Sequence, residues 1–168
     1  IVLSTVLAAA QQGARGGDWS QYGADAGATR YAPLDQITPD NVSSLKVAWQ
    51  YQTGDVKRPD DVGETTYQVT PLKVRDTLYL CTPHNWAIAV DAATGEEKWK
   101  FDPNAGLEPD RQHQTCRGVT YYRDPAAVEG TVCAERVYLP TSDARLIALD
   151  AGTGAICENF ANAGTLRL

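Results

Sequence analysis

The stretch RQHQTCRG (111–118) gathers an imidazole, a thiol and a guanidinium within five polar positions, His113 to Arg117. The planar guanidinium of Arg117 can pair with carboxylate or similar oxygens through two parallel N–H donors. A neutral imidazole at His113 can bond a ligand oxygen or hydroxyl. On residue type alone, Arg117 serves as well in pairing with a surface acid, and His113 in bonding loop backbone. His84, in CTPHNW, stands at a strand-end turn and reads as structural or solvent-facing. Two acidic clusters, DDVGE (60–64) and LEPD (107–110), lack the spacing of a calcium loop and read as solvated charge. No metal ligand set is assigned.

Four cysteines without a CxxC pair make zinc an unsuitable reading and suit an exported protein. They allow three complete pairings. Cys116 can bridge to Cys133 across the intervening segment, or Cys133 can bridge to Cys157. Either would be a structural staple worth about 2–4 kcal/mol.

These residues need a scaffold, and the chain supplies strands and turns. Apolar or alternating runs occur at LKVAWQYQTG (45–54), VTPLKVRDTLYLCT (69–82), WAIAVD (86–91), EKWKFD (97–102), GVTYY (118–122), ERVYLPT (135–141) and RLIALD (145–150). The run at 69–82 divides into two strands at Arg75-Asp76, and Arg111 to Gly118 reads as loop. Close spacing with glycine turns predicts an all-β architecture. Only ITPDNVSSLK (37–46) predicts a helix, with Thr38 as cap, Pro39 in the first position and Asp40 complementing the dipole.

LYLCTPHNWAIAVDAATG (78–95) aligns without a gap on VYLPTSDARLIALDAGTG (137–154), with nine of eighteen positions identical. An internal repeat of antiparallel strands predicts a β-propeller, one blade per unit. The offset of 59 residues exceeds the usual blade period of about 40–50, so 103–135 reads as an insertion on one face. In each copy an Asp (91, 150) and a Thr (94, 153) bond turn backbone, and a Gly (95, 154) supplies positive φ. Asp91 and Asp150 are therefore architectural. Trp99 follows the first turn as packing for a neighbouring blade, whereas the second copy has Glu158 there.

Composition sets the remaining bounds. The 168 residues are 43% hydrophobic, which is globular material, and a net charge of −6 argues against a nucleic-acid partner. The uncharged IVLSTVLAAA (1–10) is shorter than the about 20 residues that span a bilayer. It reads as the end of a membrane segment or of a secretory signal, with a buried N-terminal helix as the alternative. QQGARGG (11–17) then reads as linker. The division is residues 1–17 and a propeller part, residues 18–168.

The stretch AVDAATGEEKW (89–99) resembles the tryptophan-docking motif, A-x-D-x-x-T-G-x-x-x-W, of pyrroloquinoline quinone (PQQ) dehydrogenases. DWSQYGADAGATRYAPLDQIT (18–38), AWQYQTGDVKRPDDVGE (48–64), LYLCTPHNWAIAVDAATG (78–95), CRG (116–118) and ICENFANAGTL (156–166) resemble the membrane-bound glucose, quinate and shikimate branch. The resemblance implies about the first two blades of an eight-bladed propeller on the periplasmic side of the inner membrane. It implies PQQ with calcium or magnesium held elsewhere in the protein, and a catalytic Asp beyond Leu168. It further implies oxidation of a sugar or cyclic polyol, with electrons passed to ubiquinone. This part alone is expected to be inactive.

Within the resemblance, Arg117 and His113 match residues that contact the cofactor or lie near it. Gln68 stands two before Thr70-Pro71, where glucose-type relatives carry Glu, and its carboxamide can still bond a cofactor oxygen. That departure leaves quinate, shikimate or another polyol open beside glucose. Thr115 precludes the vicinal disulfide that some alcohol-oxidising quinoproteins carry beside this Arg. The alternative function is a non-catalytic propeller scaffold, as in outer-membrane assembly factors with the same blade motif.

Overall fold

The computed structural model describes residues 13–106 and 113–168. The expected membrane segment or signal at 1–10 and the acidic LEPD lie outside the described residues. No described helix is long and apolar enough to cross a membrane.

Two four-stranded antiparallel sheets carry the fold. After a two-residue strand β1 (Glu64–Thr65), the first sheet runs β2 (Leu72–Val74), β3 (Thr77–Cys81), β4 (Ala87–Asp91) and β5 (Glu97–Phe101), each paired with the next. β6 (His113–Gln114) interrupts the blades and pairs in parallel with β1. The second sheet is β7 (Thr120–Arg123), β8 (Glu135–Pro140), β9 (Arg145–Asp150) and β10 (Thr165–Arg167), again a meander. These are two propeller blades. The segment expected as one insertion contributes β7, the first strand of the second blade, and the short β6.

The repeat holds in the register. Leu78 faces Val90 and Tyr79 faces Ala89 in the first blade, as Val137 faces Leu149 and Tyr138 faces Ala148 in the second. Strand period 2 then sorts the side chains. Tyr79, Cys81, Ala87, Ala89 and Trp99 point to the second blade and meet Val137, Leu139, Ile147 and Leu149 in one buried cluster. Leu80, Ile88 and Val90 point the other way, against Trp49 and Tyr51. β4 is buried on both faces, which is why it reads as a continuous apolar run.

Each Asp-Thr-Gly turn closes on itself and receives a tryptophan. The Asp91 carboxylate accepts the Ala93 and Thr94 N–H groups at 2.9 Å, and Asp150 accepts those of Gly152 and Thr153 at 3.1 and 2.9 Å. Gly154 has φ 73°, and a Cβ there would lie 2.7 Å from the Trp99 ring; Gly95 has φ 76° and would meet Trp49 at 2.5 Å. The indole N–H groups donate to turn carbonyls, Trp99 to Ala151 at 3.0 Å and Trp49 to Ala92 at 3.3 Å. Arg75, in the β2–β3 turn, pairs with Glu135 of the second blade.

Two expected elements differ. ITPDNVSSLK forms only a 3₁₀ turn, Val42–Ser44, with no buried residue. A helix that short needs an apolar face against the core to outweigh its nucleation cost, and this one has none. LKVAWQYQTG pairs with no strand among the described residues. Its alternation seats Trp49 and Tyr51 on the first blade and leaves Val47 75% exposed. Further upstream, Ala14 of the expected linker is buried and its N–H donates to Tyr31.

Replacing Trp99 by Ala removes the ring between the blades and its hydrogen bond. The expected loss is about 3–5 kcal/mol, read from the urea-unfolding midpoint. Gly154→Ala is expected to destabilise in the same assay, because the added methyl meets the ring at a positive-φ position.

Candidate functional site

A cleft of about 430 Å³ opens where the 113–117 segment crosses the end of both blades, walled by Asn85, His113, Thr115, Cys116, Arg117 and Pro140–Ser142. The segment is held by backbone on one side. β6 lies on β1, the Thr66 N–H donates to Gln114 at 3.0 Å, and the Thr70 N–H donates to Arg117 at 3.1 Å. His113 and Arg117 therefore line one cleft. Gln68 belongs to the neighbouring run between Thr66 and Thr70, is exposed, and does not line the cleft.

The side chains of the segment alternate. Gln114 is buried and its carboxamide donates to the Pro83 carbonyl at 2.8 Å. Cys116 is buried in a disulfide with Cys81, at the end of β3. The other disulfide is Cys133–Cys157. The alternative bridge from Cys116 to Cys133 does not form. Cys81 corresponds in the repeat to Pro140 at the far end of β8, whereas Cys133 precedes the start of that strand, so a six-residue strand of about 20 Å separates them. The opposite wall is tied down as well. The Arg145 guanidinium reaches the Pro103 carbonyl at 3.0 Å and Asp143 at 2.8 Å, and Asp143 accepts the Gly106 N–H at 3.3 Å.

Beneath the cleft lies a group that residue types alone did not disclose. The His84 side chain is 3% exposed, with its Nδ1 against Asp55 and its Nε2 2.8 Å from Asp61, whose carboxylates are 1% and 0% exposed. The His84 N–H also donates to Asp55 at 2.8 Å. Asp61, read as solvated charge, is buried because it binds the Thr65 hydroxyl and the Arg58 N–H, each at 2.7 Å. Burial pushes its carboxyl upward, but the hydrogen bonds from His84, Arg58 and Thr65 outweigh that and hold it at about 2. His84 is thus structural and not solvent-facing. It pins the 55–65 loop, and with it β1 and β6, to the turn that carries Asn85. Among the described residues no His, Cys, Asp and Glu side chains form a metal-holding group.

Two residues that line the cleft each carry a buried polar atom with no hydrogen-bond partner, Nδ1 of His113 and Oγ1 of Thr115. Glu64 approaches that ring nitrogen only to 3.5 Å. With the exposed guanidinium of Arg117, three polar groups thus belong to neighbouring residues that line the one cleft.

A family model described as glucose/ethanol/alcohol dehydrogenase, beta-propeller domain, of the PQQ type, matches residues 19–168. The chain belongs to this family. Within the PQQ family it is similar to the quinoprotein glucose dehydrogenase of Escherichia coli, 50% identical over 155 residues, a match covering 90% of this chain and 20% of that protein. It is similar also to the quinate/shikimate dehydrogenase (quinone) of Acinetobacter baylyi, 40% identical over 166 residues, with the same coverage. Among solved structures, the quinohemoprotein alcohol dehydrogenase from Comamonas testosteroni superposes with a TM-score of 0.61 at 30% identity, covering 88% of this chain and 20% of that one. The chain spans about a fifth of the length of the curated relatives it matches. The family's cofactor is an oxygen-rich tricarboxylate, and the cleft's guanidinium and two unpartnered polar atoms fit such a group.

Asp61 has a folded value below its ordinary 3.8, so its contribution to stability is present above about pH 4 and is lost as pH falls toward 2. Asp61→Asn is expected to cost about 2–3 kcal/mol at pH 7. The wild-type urea midpoint should fall more steeply than the variant's between pH 4 and pH 2.

Proposed function

We propose that residues 18–168 are the N-terminal part of a PQQ-dependent dehydrogenase that oxidises a sugar or cyclic polyol. Residues 1–17 are the end of a membrane segment or signal followed by linker. The enzyme works on the periplasmic side of the inner membrane and passes electrons to ubiquinone. The carrying observation is the cleft lined by Arg117 and by His113, whose Nδ1 has no hydrogen-bond partner. Family membership and the glucose and quinate relatives support the substrate class. The two disulfides suit an oxidising compartment.

The bound quinone supplies a two-electron acceptor for hydride from the substrate carbon. Arg117 binds its carboxylate or quinone oxygens, two N–H donors at a time. His113 bonds a further oxygen through Nδ1. Gln68 lies outside the cleft lining, so its neutral carboxamide would meet only a part of the ligand that extends beyond the cleft. The Cys81–Cys116 disulfide and the Gln114 hydrogen bond hold the loop in place before the cofactor arrives, so binding costs little ordering. Calcium or magnesium is held by residues outside this chain. A propeller serving only as scaffold has no use for unpartnered polar atoms in a cleft.

The test uses the full-length gene product, reconstituted with PQQ and calcium or magnesium. Dye reduction with glucose and with quinate is expected to show PQQ-dependent turnover of at least one. Arg117→Ala should raise the PQQ concentration needed by about tenfold or more, from the loss of charged hydrogen bonds of about 1.5–3 kcal/mol. Its unfolding midpoint should stay unchanged, since the side chain is exposed. No turnover with any sugar or polyol would defeat the proposal.

A further inference from the structure

We infer that Thr115 is a third cofactor-binding residue, its hydroxyl donating a hydrogen bond to an oxygen of the quinone held in the cleft. The inference rests on the PQQ site proposed above and adds a residue to it.

Burial alternates from the strand His113–Gln114 through Arg117, with 114 and 116 buried and 113, 115 and 117 more open. The structure shows both sets in use. Gln114 and Cys116 turn into the first blade, where each has a fixed partner in Pro83 and Cys81. His113, Thr115 and Arg117 line the cleft, as does Cys116, whose sulfur is committed to the disulfide. A buried hydroxyl gives up its water and normally finds a protein partner in exchange. The Thr115 hydroxyl has none, although it lies between the two residues best suited to a ligand. Two other buried polar atoms lack partners, on Thr66 and Trp86, but neither residue lines the cleft. Thr115 alone combines the missing partner with a position between His113 and Arg117. A hydroxyl can rotate its hydrogen toward a carboxylate or carbonyl oxygen without moving the chain, and the disulfide at the next residue keeps that chain in place.

This arrangement makes opposite demands on the empty and the loaded protein. Removing the hydroxyl while keeping the shape, as in Thr115→Val, relieves an unsatisfied group in the cofactor-free state. The same change deletes a contact in the loaded state.

The experiment titrates PQQ into the cofactor-free full-length product, follows tryptophan fluorescence, and records the thermal midpoint before PQQ is added. Thr115→Val is expected to bind PQQ about fivefold or more weakly, with a cofactor-free midpoint equal to or above wild type. Thr115→Ser, which restores the hydroxyl, is expected to return to within about twofold of wild-type affinity. If Thr115→Val binds as wild type does while Arg117→Ala is weakened, the site stands and the role of Thr115 is refuted. If Thr115→Val loses affinity and midpoint together and Thr115→Ser does not recover, the hydroxyl is only structural and the inference fails. A wild-type protein that takes up no PQQ removes the site itself, and this inference with it.

Discussion

The structure depends on an indole ring lying flat on a glycine. Trp99 reaches from the last strand of one blade to the Asp-Thr-Gly turn of the next, and Trp49 makes the same contact with the turn of the first. Each contact needs three things at once: a turn closed by Asp and Thr, a backbone in the left-handed region, and no Cβ under the ring. Glycine meets the last two together. The indole N–H then fixes the ring's direction by bonding a turn carbonyl. Stacking of blades follows, since the ring brings Tyr79 and Ala89 onto Leu139 and Leu149 in one buried cluster.

The cleft is a consequence of that stacking. It lies where the ends of two blades are held side by side and the 113–117 segment crosses them. A loop in such a place would wander without tethers. Here alternate residues are spent on holding it, Gln114 by a hydrogen bond and Cys116 by a disulfide, while the residues between them stay available for a ligand. Beneath it, His84 with Asp55 and Asp61 is a second anchor. Removing one partner of such a buried hydrogen-bonded group is costly, and the group dictates one position for the 55–65 loop, from which β1 and β6 take theirs.

Much of this was legible in the sequence because it repeats. The 59-residue offset located β3, β4, β8 and β9 and both turns, and even predicted the contact of Trp99 with a neighbouring blade. Where strand character depends on a partner, the pattern was insufficient. LKVAWQYQTG alternates like a strand and buries Trp49 and Tyr51, yet no described strand lies beside it to complete hydrogen bonding. ITPDNVSSLK has good capping residues and no apolar face. At the candidate site, residue type left His113 and Arg117 open to ordinary loop roles, and only the motif resemblance singled them out as ligand candidates; the fold adds that both line one cleft. The His84 group was not, because Asp55 and Asp61 lie more than twenty residues away in sequence and sit among exposed charges. Thr115 carried a faint signal, since H-Q-T-C-R alternates with the buried Gln and Cys, so that its own side chain had to face the other way.

The most direct measurement of the central claim is an experimental structure of the full-length product with PQQ bound. The account requires the cofactor over the 113–117 loop, with a PQQ oxygen within hydrogen-bond distance, about 3.2 Å or less, of the Arg117 guanidinium, and Trp99 still on Gly154. PQQ bound on another face of the propeller, with Arg117 turned to solvent, would contradict it.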